Sequence, residues 1–262
     1  VVAPGSSHSE SFVELADLKV HLYKGGAGAP LLVLHHEIGT SGWVAFYEEL
    51  ARHFTVYVPE HPGFGRSERP AWMRTVREMA IVYLWLLREI GLERVAVVGL
   101  GFGGWVAADM AMMSQRQFTR MVLVNPMGIQ PERGEILDQF VINTIDYIRA
   151  GFADQAKYLM VFTERPGIEQ LEAWEINREM TTRIAWKPYM FEQAMPHLAR
   201  AIATPTLILH SRHNRIVPAN CAERYAAAIA GARLRMLEGC GHFAELEKPE
   251  ELANLIYDFV SG

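Results

Sequence analysis

Cysteine is scarce, with two in 262 residues, Cys221 and Cys240. Two cannot make a disulfide framework; they fit a reducing, cytoplasmic setting, with Cys240 as a small apolar residue. Lysine and arginine form no cluster, and 25 of them stand against 30 acidic residues for a net charge of −5. That balance argues against nucleic acid or an anionic membrane surface as the partner. No apolar run approaches the roughly 18–20 residues that cross a bilayer. The longest, Ile81-Val82-Tyr83-Leu84-Trp85-Leu86-Leu87, is flanked by charges. The opening Val1–Glu10 has neither a basic start nor an apolar stretch, so it does not read as a secretory signal. Internal repeats and low-complexity tracts are missing too. The rest is 50% hydrophobic and long enough for one large domain with room for an inserted subdomain.

The apolar runs alternate in kind. Phe12–Leu15 and Leu18–Tyr23 predict two short strands joined at Ala16-Asp17, an antiparallel opening pair. Leu31–Leu34, Phe54–Val58, Val95–Val98, Met121–Val124 and Thr206–Leu209 are continuous apolar runs, the mark of strands buried on both faces. Between them Phe46–His53, Val76–Ile90 and Gly103–Met113 carry helical spacing, the second ending at Gly91, a C-terminal stop. Leu234–Leu237 closes the strands, and a helix follows from Pro249 to Val260. This alternation predicts an α/β fold whose mostly parallel sheet is covered by helices on both faces. From Gln130 to Arg200 no buried strand is visible, only helical patterning rich in Met, Trp, Tyr and Phe. The expected organisation is a core of residues 1–129 and 201–262 with a helical insertion over 130–200.

Five segments at strand ends carry a family resemblance. They are Leu34-His35-His36-Glu37-Ile38-Gly39, His61-Pro62-Gly63-Phe64-Gly65-Arg66-Ser67, Val98-Gly99-Leu100-Gly101-Phe102-Gly103-Gly104-Trp105, Ser211-Arg212-His213-Asn214-Arg215-Ile216-Val217-Pro218 and Gly239-Cys240-Gly241-His242-Phe243. In this order, over almost the whole chain, the sequence resembles the α/β-hydrolase family, and the helical stretch stands where that family places its cap. The resemblance implies an α/β-hydrolase fold. It also implies a catalytic serine in a Gly-x-Ser-x-Gly turn between strand and helix.

Here that turn is Gly99-Leu100-Gly101-Phe102-Gly103, and the position of the family's acid holds Asn214. Of the implied triad only His242 remains. Losing such a serine costs roughly 10⁶ in turnover in well-studied proteases, so acyl-enzyme chemistry is not expected. The family's oxyanion hole uses main-chain N–H groups, which the resemblance assigns to Phe102 and Glu37. The expected mechanism is His242 acting as general base or acid on a water in the space above Gly101, with the Asn214 oxygen accepting from the imidazole and His36 nearby. Hydrolysis or a lyase-type step on a small, mostly apolar carbonyl, ester or amide compound would follow, without a cofactor. Trp105, Trp186 and Tyr189 are the expected substrate contacts. Two other readings stay open. One is a catalytically silent small-molecule-binding protein; the other is a metal-dependent hydrolase holding a divalent ion through His36, Glu60 and His242.

Overall fold

The computed structural model describes residues 7–262, so the first six residues of Val1–Glu10 lie outside the described residues. Strands β1 (His8–Leu15) and β2 (Leu18–Gly25) form the expected antiparallel pair. They are followed by β3 (Ala29–Leu34), β4 (Phe54–Pro59), β5 (Val95–Leu100), β6 (Phe118–Val124), β7 (Thr206–Ser211) and β8 (Arg233–Leu237). Among the described residues these make one eight-stranded sheet in the order β1-β2-β4-β3-β5-β6-β7-β8. From β4 onward along that order every pairing is parallel, while β2 meets β4 antiparallel.

Period-two alternation divides each buried strand between two layers. Leu32, Leu34, Val97, Met121, Leu123 and Ile208 pack with α2 (Val76–Glu89), α3 (Phe102–Met113) and α8 (Ala219–Ala228). Leu31, Val33, Ala96, Val98, Val122 and Val124 pack on the other face with α1 (Ala45–Ala51) and α10 (Pro249–Ser261). The start of α2 is fixed by a capping box between Thr75 and Glu78. Its end falls before Gly91, whose φ of +72° supplies the left-handed turn. Between β6 and β7 the chain runs through α4 (Thr144–Ala150), α5 (Gln155–Phe162), α6 (Ile168–Ala185) and α7 (Met195–Leu198); the short α9 (Ala244–Glu247) precedes α10.

The register places the site. Leu34 pairs with Gly99, so two residues further on His36 comes level with Gly101; Leu100 pairs with Val124, so Asn125 flanks the same turn. Parallel strands therefore deliver the β3, β5 and β6 loops to one edge, where α/β sheets bind ligands.

Candidate active site

Gly101 stands between β5 and α3 with φ +49° and ψ −110°, a backbone conformation that strains any residue with a side chain. The Cβ position above it, where the sequence leaves space for a water, is not free. A Cβ there would lie 2.3 Å from His36 Nδ1 and 2.9 Å from His242 Nε2, so imidazoles fill the place a serine side chain would take. The elbow is close-packed elsewhere as well, since a Cβ on Gly103 would meet the Leu34 carbonyl oxygen at 2.3 Å.

Three side chains converge beside this glycine. His36 Nδ1 stands 3.7 Å from Glu37 Oε2, and His242 Nε2 stands 3.4 Å from Glu37 Oε1. All three residues are at most 1% exposed. His36 Nδ1, Glu37 Oε2 and His242 Nε2 make no hydrogen bond. The other side of each group is tied down. His36 Nε2 meets Glu245 Oε2 at 3.1 Å, and the Tyr147 hydroxyl on α4 donates to Glu37 Oε1 at 2.8 Å. Burial opposes charge on His36, yet the carboxylates of Glu245 and Glu37 outweigh it and lift its pKa to about 9. Burial likewise raises Glu37, but His242 and His36 beside it win and hold its carboxyl well below the usual range. For His242 burial dominates and lowers the pKa, with Glu37 offsetting only part of the effect.

Asn214 reverses the role expected of it. Its Oδ1 accepts from the main-chain amides of Ile216 and Val217, both at 2.9 Å, which stabilises the turn after β7. The carboxamide nitrogen is left facing His242 Nδ1 at 3.1 Å and donates to it, so the neutral ring carries its proton on Nε2, toward Glu37. Glu60 departs from the proposed metal set. It pairs with His21 Nδ1 at 3.1 Å and accepts from the Arg66 amide at 2.7 Å, bracing the loop after β4. The carboxylate that lies beside His36 and His242 is Glu37, which follows His36 in a turn closed by a 3.0 Å hydrogen bond from the Gly39 amide to the His36 carbonyl.

The three aromatic residues expected to contact substrate each have partners within the protein. Trp105 packs edge-on to Phe102 and borders a cleft with Asp109 and Lys187. Trp186 is half exposed against Phe140, and the Tyr189 hydroxyl donates to the Leu137 carbonyl. Phe102, the first residue of α3, contributes a main-chain amide that the helix itself leaves without an acceptor.

Two positioning residues went unnoticed in the sequence. Asn125, at φ +50°, donates to the carbonyls of Gly241 and His242 and to Ser211 Oγ, and accepts from the Ser211 amide. The Glu247 carboxylate accepts from the amides of Gly241, Ala153 and Asp154. Together they fix the His242 loop to β6, β7 and the helical segment. An asparagine directly after a buried strand, able to adopt a left-handed backbone, was the available signal for the first.

A cavity of about 340 Å³ opens between the β3 and β4 loops and α6; His35 and Ile38, which flank His36 and Glu37 in the chain, line it, but no residue of the cluster does. His35, Ile38, Thr40 and Phe64 line one side, and Ile176 and Asn177 the other. Within this lining Asn177 ties α6 to both loops, donating to the Ile38 carbonyl at 2.7 Å and accepting from the Gly65 amide at 3.1 Å.

Known proteins share this plan. The chain is 27% identical to 2-hydroxymuconate semialdehyde hydrolase from Pseudomonas sp. strain CF600, over 94% of this chain and 92% of that protein. It is 26% identical to 2-hydroxy-6-oxo-2,4-heptadienoate hydrolase from Pseudomonas putida, over 94% of each. Among solved structures, the meta-cleavage product hydrolase CumD from Pseudomonas fluorescens IP01 superposes with a TM-score of 0.83 at 20% identity, over 96% of this chain and 97% of that one, a likeness of fold. No described helix is long and apolar enough to cross a membrane. Residues 31–255, from the first buried parallel strand to the last helix, match the alpha/beta hydrolase family throughout, and the chain belongs to it.

Proposed function

We propose that this chain is a hydrolase that cleaves a small, neutral, mostly apolar carbonyl compound, with a water held between His36, Glu37 and His242 attacking in place of the family's serine. One observation carries the reading. At an elbow without a side chain, His36 Nδ1, Glu37 Oε2 and His242 Nε2 are buried, face one another and lack hydrogen-bond partners. Each such group costs about 1–3 kcal/mol if left unsatisfied, so a guest with matching polarity is strongly favoured there. A water with two to four polar partners is such a guest.

The roles follow from the protons each group holds. Glu37 takes a proton from the water as its oxygen bonds to the substrate's carbonyl carbon, and the resulting oxyanion accepts from the main-chain amides of Phe102 and Glu37. The same proton then passes from Glu37 to the departing group, which accepts a hydrogen bond from the Nε2–H of His242 as it leaves. Asn214 supports this by holding the ring in the Nε2–H tautomer. Because the cluster is fully buried, substrate entry requires the Tyr147 and Asn177 contacts to part, a movement of the helical segment that acts as a lid.

The relatives are named for substrates that are themselves acids or semialdehyde acids. In this chain Glu60, Glu169 and Glu172 line the cavity against Arg66, a lining that disfavours an anionic substrate and supports a neutral one. The test is a panel of small neutral esters, lactones and diketones, together with 2-hydroxy-6-oxo-dienoates, assayed before and after a fluorophosphonate probe. Turnover of neutral members without a covalent adduct is expected. A stoichiometric adduct on a serine that abolishes turnover would overturn the proposal.

A further inference from the structure

The converging atoms belong to two imidazoles and one carboxylate, a donor set with a chemistry of its own. We propose that His36 Nδ1, Glu37 Oε2 and His242 Nε2 bind one divalent transition-metal ion of the Zn²⁺ or Fe²⁺ kind, leaving positions open for water and substrate. This rests on the hydrolytic reading of the same cluster, water attacking at the elbow; with Glu37 and His242 engaged as ligands, the ion would activate that water in place of the Glu37 carboxylate.

Five observations support the site. Two histidines and a carboxylate with open positions are the ligand set of hydrolytic zinc and of non-haem iron. The three residues offer ligand atoms that all lie within 4.8 Å of one another. An ion with bonds of about 2.0–2.2 Å places its ligands about 3.0–3.5 Å apart, so the cluster closes on it with side-chain shifts of about 1 Å or less. The outer contacts are those of a metal site. Glu245 meets the far nitrogen of His36, and Tyr147 donates to the other oxygen of Glu37, orienting both ligands from behind. The charge balances, since Glu37 and Glu245 with two neutral imidazoles and a divalent ion sum to zero in a fully buried place. Finally, Gly101 is the one residue that leaves room, because any Cβ would stand 2.3 Å from His36 Nδ1.

Asn214 is the part that fits least well. It donates to His242 Nδ1, whereas a histidine that binds metal through Nε2 must itself donate from Nδ1. On binding, His36 Nδ1 and His242 Nε2 release any proton they carry to solvent, His242 takes one at Nδ1, and the Asn214 carboxamide must turn at the expense of its bonds to Ile216 and Val217. An aspartate at this position would accept from the turn with one oxygen and from His242 with the other. Asn214→Asp is therefore expected to tighten the ion.

The test needs no substrate. Chelator-treated full-length protein is titrated with Co²⁺ and Zn²⁺, followed by Co²⁺ visible absorption, calorimetry and metal content after desalting. One ion per chain is expected, weakened at least tenfold in His36→Ala, His242→Ala and the near-isosteric Glu37→Gln, unchanged in Glu60→Gln, and tightened in Asn214→Asp. Circular dichroism identifies any variant that fails to fold, and Glu37→Gln with Asn214→Asp then decide the matter. No stoichiometric binding, or binding indifferent to Glu37→Gln, overturns the proposal. Turnover of a neutral ester or lactone that survives chelation in a metal-free sample would overturn the metal while leaving the water-based hydrolase standing.

Discussion

Gly101→Ala adds a single carbon, and the structure says where it goes. The new Cβ would fall 2.3 Å from His36 Nδ1 in a fully buried pocket where His36 is held by Glu245 on its other side. Overpacking of this kind costs about 1–3 kcal/mol. Holding a non-glycine residue at φ +49° adds about 1–2 kcal/mol. The sum, about 2–5 kcal/mol, is a large part of the 5–15 kcal/mol that typically holds a domain together. Urea unfolding of the wild type, Gly101→Ala, His36→Ala and the double variant separates the two contributions. In the His36→Ala background the backbone strain and the 2.9 Å approach to His242 Nε2 remain while the 2.3 Å clash is gone, so the cycle should show a coupling of about 1–3 kcal/mol between the two positions. A coupling within about 0.5 kcal/mol of zero, or a Gly101→Ala protein as stable as the wild type, would refute the claim that His36 fills the serine's place.

Asn125→Ala removes three donated contacts and one accepted contact from a buried junction, so a loss of about 2–4 kcal/mol is expected, with lower turnover because the His242 loop is released; thermal unfolding and the ester panel check both. Asp109 is buried on α3 with Arg77 3.4 Å away, and burial, only partly offset by Arg77, raises its pKa to about 6. The folded protein therefore binds this proton more tightly than the unfolded chain does, and its contribution to stability falls as pH rises from about 4 through about 6. Asp109→Asn should raise the melting temperature at pH 7–8, by an amount worth at most about 3 kcal/mol, and leave it nearly unchanged at pH 4; equal effects at both values would contradict the assignment.

The strands and most helices were legible because burial on both faces leaves continuous apolar runs and amphipathic helices leave a 3.6-residue period. The resemblance also placed Gly101, His242, Asn214 and the β3 loop at one sheet edge, and the structure brings them together. What could not be read were choices made by side-chain direction. Glu37 and Glu60 both follow parallel strands, yet Glu37 lies beside His36 and His242 while His21 and the Arg66 amide hold Glu60 away. Whether Asn214 donates or accepts depended on two main-chain amides two and three residues later. Aromatic residues in a helical stretch announce burial without saying against what, and in the structure Trp186 and Tyr189 pack against Phe140 and each other.

In the proposed reaction, water prepared by the Glu37 carboxylate replaces the serine of the family. Turnover of the best neutral ester, lactone or diketone by Glu37→Gln tests it most directly, since this change keeps the shape and the Tyr147 contact while removing the charge and the base. Kinetic parameters for folded Glu37→Gln should show kcat lowered by about 10²–10⁴, the usual contribution of a positioned base, with no fluorophosphonate adduct in either protein. A variant that turns over its substrate within a few-fold of the wild-type kcat would contradict the account.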